Sequence, residues 1–257
     1  LAQTTAEKYT TKVYTDYEKM INDEQLDVVH ICLPHYLHTV AAQYALSHGV
    51  NVISEKPMSI RYSDAEATVA LAEKMNLKYG VIFQSRYNTP SKFVKERIVD
   101  GRLGKVKCGR VVLTWSRSDN YYGGSDWKGT WDKEGGGVII DQAIHSLDLA
   151  NWFIDSKPCE IQSTLNNRNH AIMIVEDSAE GLIKYENGAV LGFYAMNNYA
   201  VDEPIEIRLV CENGTVRLSY DEAVIYYNDG VSESVKHSPQ NMVEYTGGKV
   251  YWGTQHA

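Results

Sequence analysis

The stretch from Val28 to Ile53 constrains the fold of this chain more than any other. It reads as apolar strand, helix, apolar strand: Val28-Val29-His30-Ile31-Cys32-Leu33, then Pro34 to Gly49, then Val50-Asn51-Val52-Ile53. Two short buried runs joined by a helix pack as parallel strands with a right-handed crossover, which implies an open α/β sheet. The second run closes on Ser54-Glu55-Lys56-Pro57. That is the carboxyl end of a parallel strand, where such sheets receive ligands.

The alternation continues on both sides. Leu1 to Tyr9 reads as the back half of an amphipathic helix, and Lys12-Val13-Tyr14 as a short strand. Asp16 caps a helix, His38 to His48 has helical spacing ended by Gly49, and Ser63 caps a helix from Asp64 to Met75. Lys78 to Phe83 is the next strand. The pattern changes near Arg86, so domains are expected over residues 1–86 and 87–257. The second opens with a helix from Ser91 to Asp100 and a long strand from Gly104 to Arg117. A polar, aromatic loop from Ser118 to Glu134 follows, then a helix from Val138 to Phe153 behind Gly135-Gly136-Gly137. Only strands come after it, at 160–166, 174–185, 189–197, 205–212, 215–219, 223–227 and 232–237. Glu186-Asn187-Gly188, Glu212-Asn213-Gly214 and Asn228-Asp229-Gly230 mark hairpins. The expectation is an α/β parallel-sheet domain followed by an α+β domain with a mostly antiparallel open sheet.

With 257 residues the chain has ample core for two domains. A net charge of -8 without a basic stripe speaks against nucleic acid or an anionic membrane as partner. No apolar run reaches the roughly 20 residues of a membrane span. Cys32, Cys108, Cys159 and Cys211 form no CxxC pair and read as small buried hydrophobes of a reducing cytoplasm. Eighteen tyrosines against four phenylalanines suit sheet faces, subunit contacts and polyol clefts, and a homodimer or homotetramer through the second sheet is expected. The chain starts at Leu1 without the marks of a signal peptide and ends abruptly at Trp252 to Ala257. It reads as a piece of a longer protein.

Several residues have the chemistry of a proton-transfer site. Lys56 is either a solvated loop residue or, buried beside a ligand, a proton relay with Glu55 setting its charge. Asp141 and His145 stand four apart on one helix face, with Asp148 a turn further. They read either as a surface pair or as an imidazole base oriented by a carboxylate. No Cys or further His nearby completes a metal set, so no metal is expected. The triple glycine admits a ligand close to the backbone or supplies a turn. His35 and His38 are polar helix-start residues or ligand contacts. Gln84, Arg86 and Asn88 follow the last parallel strand; Trp127, Lys128 and Trp131 are loop anchors or a lid.

Leu33-Pro34-His35-x-x-His38, Glu55-Lys56-Pro57, Gln84-Ser-Arg86-Tyr-Asn88-x-Pro90 and Gly136-Gly137-x-x-x-Asp141-x-x-x-His145-x-x-Asp148 occur in one order and spacing. Together they resemble the glucose–fructose oxidoreductase/inositol dehydrogenase (Gfo/Idh/MocA) family, as do Val175-Glu176-Asp177 and the hairpin from Tyr185 to Ala189. The resemblance implies a partial Rossmann domain for NAD or NADP, then a substrate domain whose open sheet forms subunit contacts. Lys56 and His145 would be the catalytic pair, with Asp141 orienting His145 or holding a substrate hydroxyl. Leu33, Pro34, His35, His38, Glu55, Lys56, Gln84 and Arg86 would lie along the cofactor. Lys56, Asn88, Trp127, Asp141 and His145 would face a sugar, inositol or related polyol. The family's glycine-rich phosphate turn and its closing helix do not occur in this sequence. An NAD-dependent glycosidase of the same fold and a non-catalytic nucleotide- or sugar-binding protein are the alternatives.

Overall fold

The computed structural model describes residues 2–236, so Leu1, His237 at the end of the last expected strand, and Trp252 to Ala257 lie outside the described residues. The chain divides into a first compact unit, Leu1–Ile82, and a second that begins at Phe83.

In the first unit β1 (Val28–Ile31), β2 (Asn51–Ser54) and β3 (Tyr79–Val81) form a parallel sheet in the order β1-β2-β3. Their register puts Val29 opposite Val52 and Ile31 opposite Ser54 on one face. That face packs against α2 (Tyr17–Asp23), α3 (His35–Ser47) and α4 (Tyr62–Met75), around Ile21, Ala41, Ala42, Ala45, Leu46 and Ala72. The alanine stripe of α3 lets the helix sit close on the strands. Asp16 caps α2 through Oδ1, which accepts the N–H groups of Glu18 and Lys19 at 2.8 and 3.2 Å. Gly49, at φ +81°, ends α3 where a side chain would be strained. The remaining helix is α1 (Ala2–Tyr9).

Four details of this unit differ from expectation. Val28 and Ile53 are exposed, so these strands are buried on one face only, because the helices cover only that side. Residues 12–14 form no strand; Lys12 Nζ and Tyr14 OH both donate to Glu24 Oε1, and this tether replaces a ladder. Ser63 lies inside α4, whose N-cap position is Arg61, without a side-chain cap bond. Cys32 is exposed at the end of β1, as are Cys108 and Cys159; of the four cysteines, all free, only Cys211 is buried.

The second unit is built on an eight-stranded sheet. Its strands are β4 (Val106–Thr114), β5 (Pro158–Asn166), β6 (Ser178–Tyr185), β7 (Val190–Met196), β8 (Glu206–Cys211), β9 (Gly214–Leu218), β10 (Glu222–Tyr227) and β11 (Ser232–Lys236). The order is β11-β10-β9-β8-β4-β7-β6-β5, antiparallel except for the central β4–β7 pair. The three expected hairpins join β6 to β7, β8 to β9 and β10 to β11, with Gly188 and Gly230 at φ +85° and +88°. Gly109, Val111, Leu191, Ile207, Leu209, Val216 and Ile225 share one face through the paired register. There α5 (Thr89–Val99) and α7 (Ile144–Ile154) close the core over Val94, Leu149, Ala150 and Phe153. Cys108, exposed, stands on the opposite face.

Three local features depart from the sequence reading. The loop expected over 118–134 contains a short helix, α6 (Asp119–Gly123). The helix expected from Val138 begins as a π-helical turn, Ile139–Ala143, before α7. Gly137 explains its entry: a Cβ there would lie 1.9 Å from the carbonyl oxygen of Glu176, so the third glycine serves a backbone crossing. Residues 174–177 are not strand. The Glu176 carbonyl and carboxylate instead accept the N–H groups of Val138 and Ile139, at 3.0 and 3.1 Å. Asp177 takes those of Arg168 and Asn169 at 2.8 and 2.9 Å and bonds His170.

Candidate active site

In the first unit the candidate residues gather at the carboxyl ends of β1 and β2. Leu33 is exposed, and Pro34 stands at the N-cap of α3, which no side-chain hydrogen bond caps. A helix N-terminus at a strand end carries partial positive charge and suits an anionic or carbonyl-bearing ligand. His38, a turn into α3, is fully buried, with Nδ1 2.8 Å from the Pro57 carbonyl oxygen and Nε2 2.7 Å from that of Leu33. The imidazole therefore bridges the turn after β1 to the turn after β2, and both its nitrogens are engaged inside the unit. His35 is also buried, its ring 5.8 Å from that of His38. Glu55 and Lys56 are half-buried, and the Lys56-Pro57 peptide is cis. The Glu55 N–H donates to Ile31 at 2.9 Å, and Tyr79 OH to Met58 at 3.2 Å, so the loop is tied at both ends.

In the second unit Gln84 is buried in a 3-10 turn, Gln84–Tyr87, and its Oε1 has no donor among the described residues. Asn88 is buried where this turn meets α5. Arg86 donates from Nε and Nη2 to the two oxygens of Asp148, at 2.7 and 2.5 Å, between the rings of Phe83 and Trp152. Burial pushes the Asp148 carboxyl above its ordinary range, while the guanidinium pulls the other way. The hydrogen bond raises Arg86 in turn. His145 is buried, with the Phe83 ring edge-on at 6.2 Å.

Asp141 is the hub. Its Oδ2 accepts from Tyr121 OH at 2.9 Å and Gln142 Nε2 at 2.6 Å, and Lys128 Nζ lies 3.5 Å away. Lys128 also donates to Tyr121 OH and sits over that ring and within 5.5 Å of the Trp127 centroid. Burial and the neighbouring Asp141 push the Tyr121 phenol upward, so it donates and is no base near neutral pH. Trp131 is exposed and anchored by its Nε1, which donates to the Ile174 carbonyl at 2.9 Å. Sequence reading missed Tyr121 and Gln142, and also Asn197, whose Nδ2 donates to Gln142 Oε1 at 3.0 Å. Gln142 is adjacent to a named residue, whereas Asn197 carries no signal short of the fold.

Two family models match. One, described as an oxidoreductase family with an NAD-binding Rossmann fold, covers residues 1–83; the other, the GFO/IDH/MocA C-terminal domain, covers residues 92–217. The chain belongs to the GFO/IDH/MocA oxidoreductase family. Among relatives, the 1-carboxy-3-chloro-3,4-dihydroxycyclohexa-1,5-diene dehydrogenase of Comamonas testosteroni is 31% identical over 73% of this chain and 46% of its own length. The D-glucoside 3-dehydrogenase of Escherichia coli is 28% identical over 74% of this chain and 58% of its own. This GFO/IDH/MocA chain thus spans about half the length of the curated relatives it matches. Among solved structures, the WlbA dehydrogenase from Bordetella pertussis, in complex with NADH and UDP-GlcNAcA, superposes with a TM-score of 0.79. It is 25% identical over 85% of this chain and 65% of that one. An inositol dehydrogenase homolog from Azotobacter vinelandii has a TM-score of 0.82 at 16% identity over 95% and 66%, a likeness of fold alone.

Proposed function

We propose that this chain carries the nicotinamide-facing turns and the substrate domain of an NAD(P)-dependent oxidoreductase. Its substrate is a secondary alcohol or ketone of a sugar, inositol or related polyol. The observation that carries this reading is the pair of prepared motifs in the two family domains. One is Lys56, half-buried at a β-strand end; the other is His145, buried a turn beyond an Asp141 held by Tyr121, Lys128 and Gln142. The first unit fits a nicotinamide nucleotide, because an α-helix N-terminus meets its strand ends; in the second unit Gln84 has a buried acceptor that no described donor satisfies. Leu33, Pro34, His35, Glu55, Lys56 and Gln84 would hold that half of the cofactor, with His38 bracing the turns and Arg86 the base of the 3-10 turn.

When bound, the nicotinamide supplies the hydride acceptor or donor. In the oxidative direction His145 takes the hydroxyl proton as general base, and Asp141 holds the hydroxyl or the imidazole in line. Lys56 stabilises the developing alkoxide and passes protons outward. Effects of this kind contribute roughly 10²–10⁴-fold each. The test uses the full-length protein, NAD⁺ and NADP⁺ in turn, and a panel of aldoses, inositols and glycosides, followed by absorbance of reduced cofactor. Lys56→Ala and His145→Ala each lower turnover by about 100-fold or more. Turnover within a few fold of wild type in both variants overturns the assignment.

A second reading rests on one relative, the 2,7-anhydro-N-acetylneuraminate hydratase of Mediterraneibacter gnavus, 30% identical over 65% of this chain. The same groups would then serve addition or elimination, as in a nicotinamide-dependent glycosidase. It is distinguished by product forming without net cofactor reduction. The proposed setting is the cytoplasm, in keeping with four free cysteines, three of them exposed. Among the described residues no helix is long and apolar enough to cross a membrane.

A further inference from the structure

We propose that Gln142 and Asn197 are positioning residues that orient the Asp141 carboxylate through a hydrogen-bond relay of fixed polarity, anchored at its far end by Tyr122. Its functional meaning rests on the reading of Asp141 as part of the reacting site. The relay itself is a property of the second unit alone.

The polarity follows from what each group can do. A carboxylate only accepts, so the end of Gln142 that lies 2.6 Å from Asp141 Oδ2 is its NH₂. The other end of that amide is then an acceptor, and whatever faces it must donate. Asn197 Nδ2 does so, at 3.0 Å from Gln142 Oε1, and its second hydrogen goes to Tyr122 OH. Asp141 thus dictates both amide orientations, back to a residue 55 positions beyond Gln142 along the chain. Neither amide can flip without setting acceptor against acceptor.

The anchor is tied to the backbone and buried. Asn197 follows the last residue of β7. Its N–H donates to the Asp177 carbonyl at 3.0 Å, and its own carbonyl accepts from Arg117 N–H at 2.7 Å. Gln142, Asn197 and Tyr122 are 3, 0 and 2% exposed. Bulk water does not reach these groups, Asn197 Oδ1 finds no donor among the described residues, and an inverted dipole is weakly screened. The π-helical turn over Ile139–Ala143 carries both Asp141 and Gln142, and such turns often mark functional sites.

Two variants of the full-length protein test this. Asn197→Asp keeps the shape and offers only acceptors toward Gln142; Gln142→Met removes the amide and keeps an unbranched side chain. Carboxyl ¹³C NMR, with the Asp141 signal assigned from Asp141→Asn, reads the titration of Asp141 directly. Thermal melting shows that each variant is folded. The expected result is an upward move of the Asp141 midpoint by about one pH unit or more in Asn197→Asp once its new carboxyl is ionised, since Asp141 then loses a donor and gains a negative neighbour. Gln142→Met moves it in the same direction by less and covers the case in which Asn197→Asp does not fold. Turnover falls about tenfold with KM changed less than about threefold. An Asp141 midpoint unmoved in a folded variant overturns the relay. A midpoint that moves while turnover stays constant supports the relay and counts against the proposed role of Asp141, so the two failures are distinguishable.

Discussion

Arg86 and Asp148 show what a single pair contributes in the second unit. Both oxygens of Asp148 are engaged, and its side chain is only 11% exposed against 38% for Arg86. Arg86→Ala leaves a buried carboxylate without its cation. A fully buried pair would lose about 3–5 kcal/mol; the open side of the guanidinium reduces this to about 2–3 kcal/mol. The pH dependence follows from burial. In the folded protein the Asp148 carboxyl is raised above its unfolded value, and removing Arg86 raises it further. The folded state then binds a proton that the unfolded state lacks, so stability falls as pH rises through the gap between the two values. The loss in Arg86→Ala should accordingly be smaller near pH 5 than near pH 8, checked by melting wild type and variant at both values. Gly137 is a second single-residue test. Any Cβ would meet the Glu176 carbonyl at 1.9 Å, and neither backbone can withdraw without breaking the 3.0 Å bond from Val138 N–H. Gly137→Ala should cost more than the roughly 1–3 kcal/mol of ordinary overpacking and be recovered largely insoluble.

Elements in this fold are held by side chains that bridge segments. In His38→Ala the carbonyl oxygens of Leu33 and Pro57, one of which accepts the ring N–H, lose the imidazole between them, and the turns after β1 and β2 lose their spacer. The expected loss is about 1–3 kcal/mol, with faster amide exchange over 54–60 before any change in α4. Asp177 does similar work after β5. Burial opposes its charge, but the N–H groups of Arg168, Asn169 and His170 and the His170 ring hold its carboxyl below the ordinary range. That contribution is present above the unfolded value and lost as pH falls through the lower folded one. The advantage of wild type over Asp177→Asn should therefore close below about pH 4 in a series of thermal melts. Such devices explain what was legible in the sequence. The βαβ run, α5, α7 and the three hairpins follow from period and turn residues, which act within a few positions. The π-helical turn, the Glu176 crossing and the Gln142–Asn197 contact depend on segments dozens of residues apart. Ile174-Val175 alternates like strand, yet the buried acids beside it are acceptors for other backbone segments. The motif residues Asp141, His145 and Asp148 are readable because they lie within eight residues, on the π-helical turn and the α7 that continues it; Tyr121 and Lys128 meet Asp141 only through α6 and its loop.

At the scale of the second unit, and among the described residues, the face of the eight-stranded sheet opposite α5 and α7 carries exposed apolar side chains. Leu182, Val210 and Tyr226 stand on it, 48, 44 and 51% exposed. The register sets Leu182 opposite Gly192, Gly192 opposite Arg110, Arg110 opposite Arg208 and Arg208 opposite Arg217, a row that crosses five strands. Glu206 bonds Arg110 and Arg208 at 2.7 and 3.0 Å and so offsets two of the three like charges. Like charges directly opposed cost stability, and a broad sheet face that carries apolar side chains favours association. On a chain of net charge -8, a second copy offers both acidic groups and a matching sheet. The full-length protein is therefore expected to be a homodimer, or a homotetramer built from it, through this face. Light scattering on a sizing column should give a multiple of the subunit mass. The melting temperature should rise with protein concentration, because assembly stabilises only the folded state. Leu182→Glu combined with Tyr226→Glu places new charge on the face without touching the core. It should yield monomers that melt lower and independently of concentration, while an unchanged mass in that double variant would move the subunit contact elsewhere.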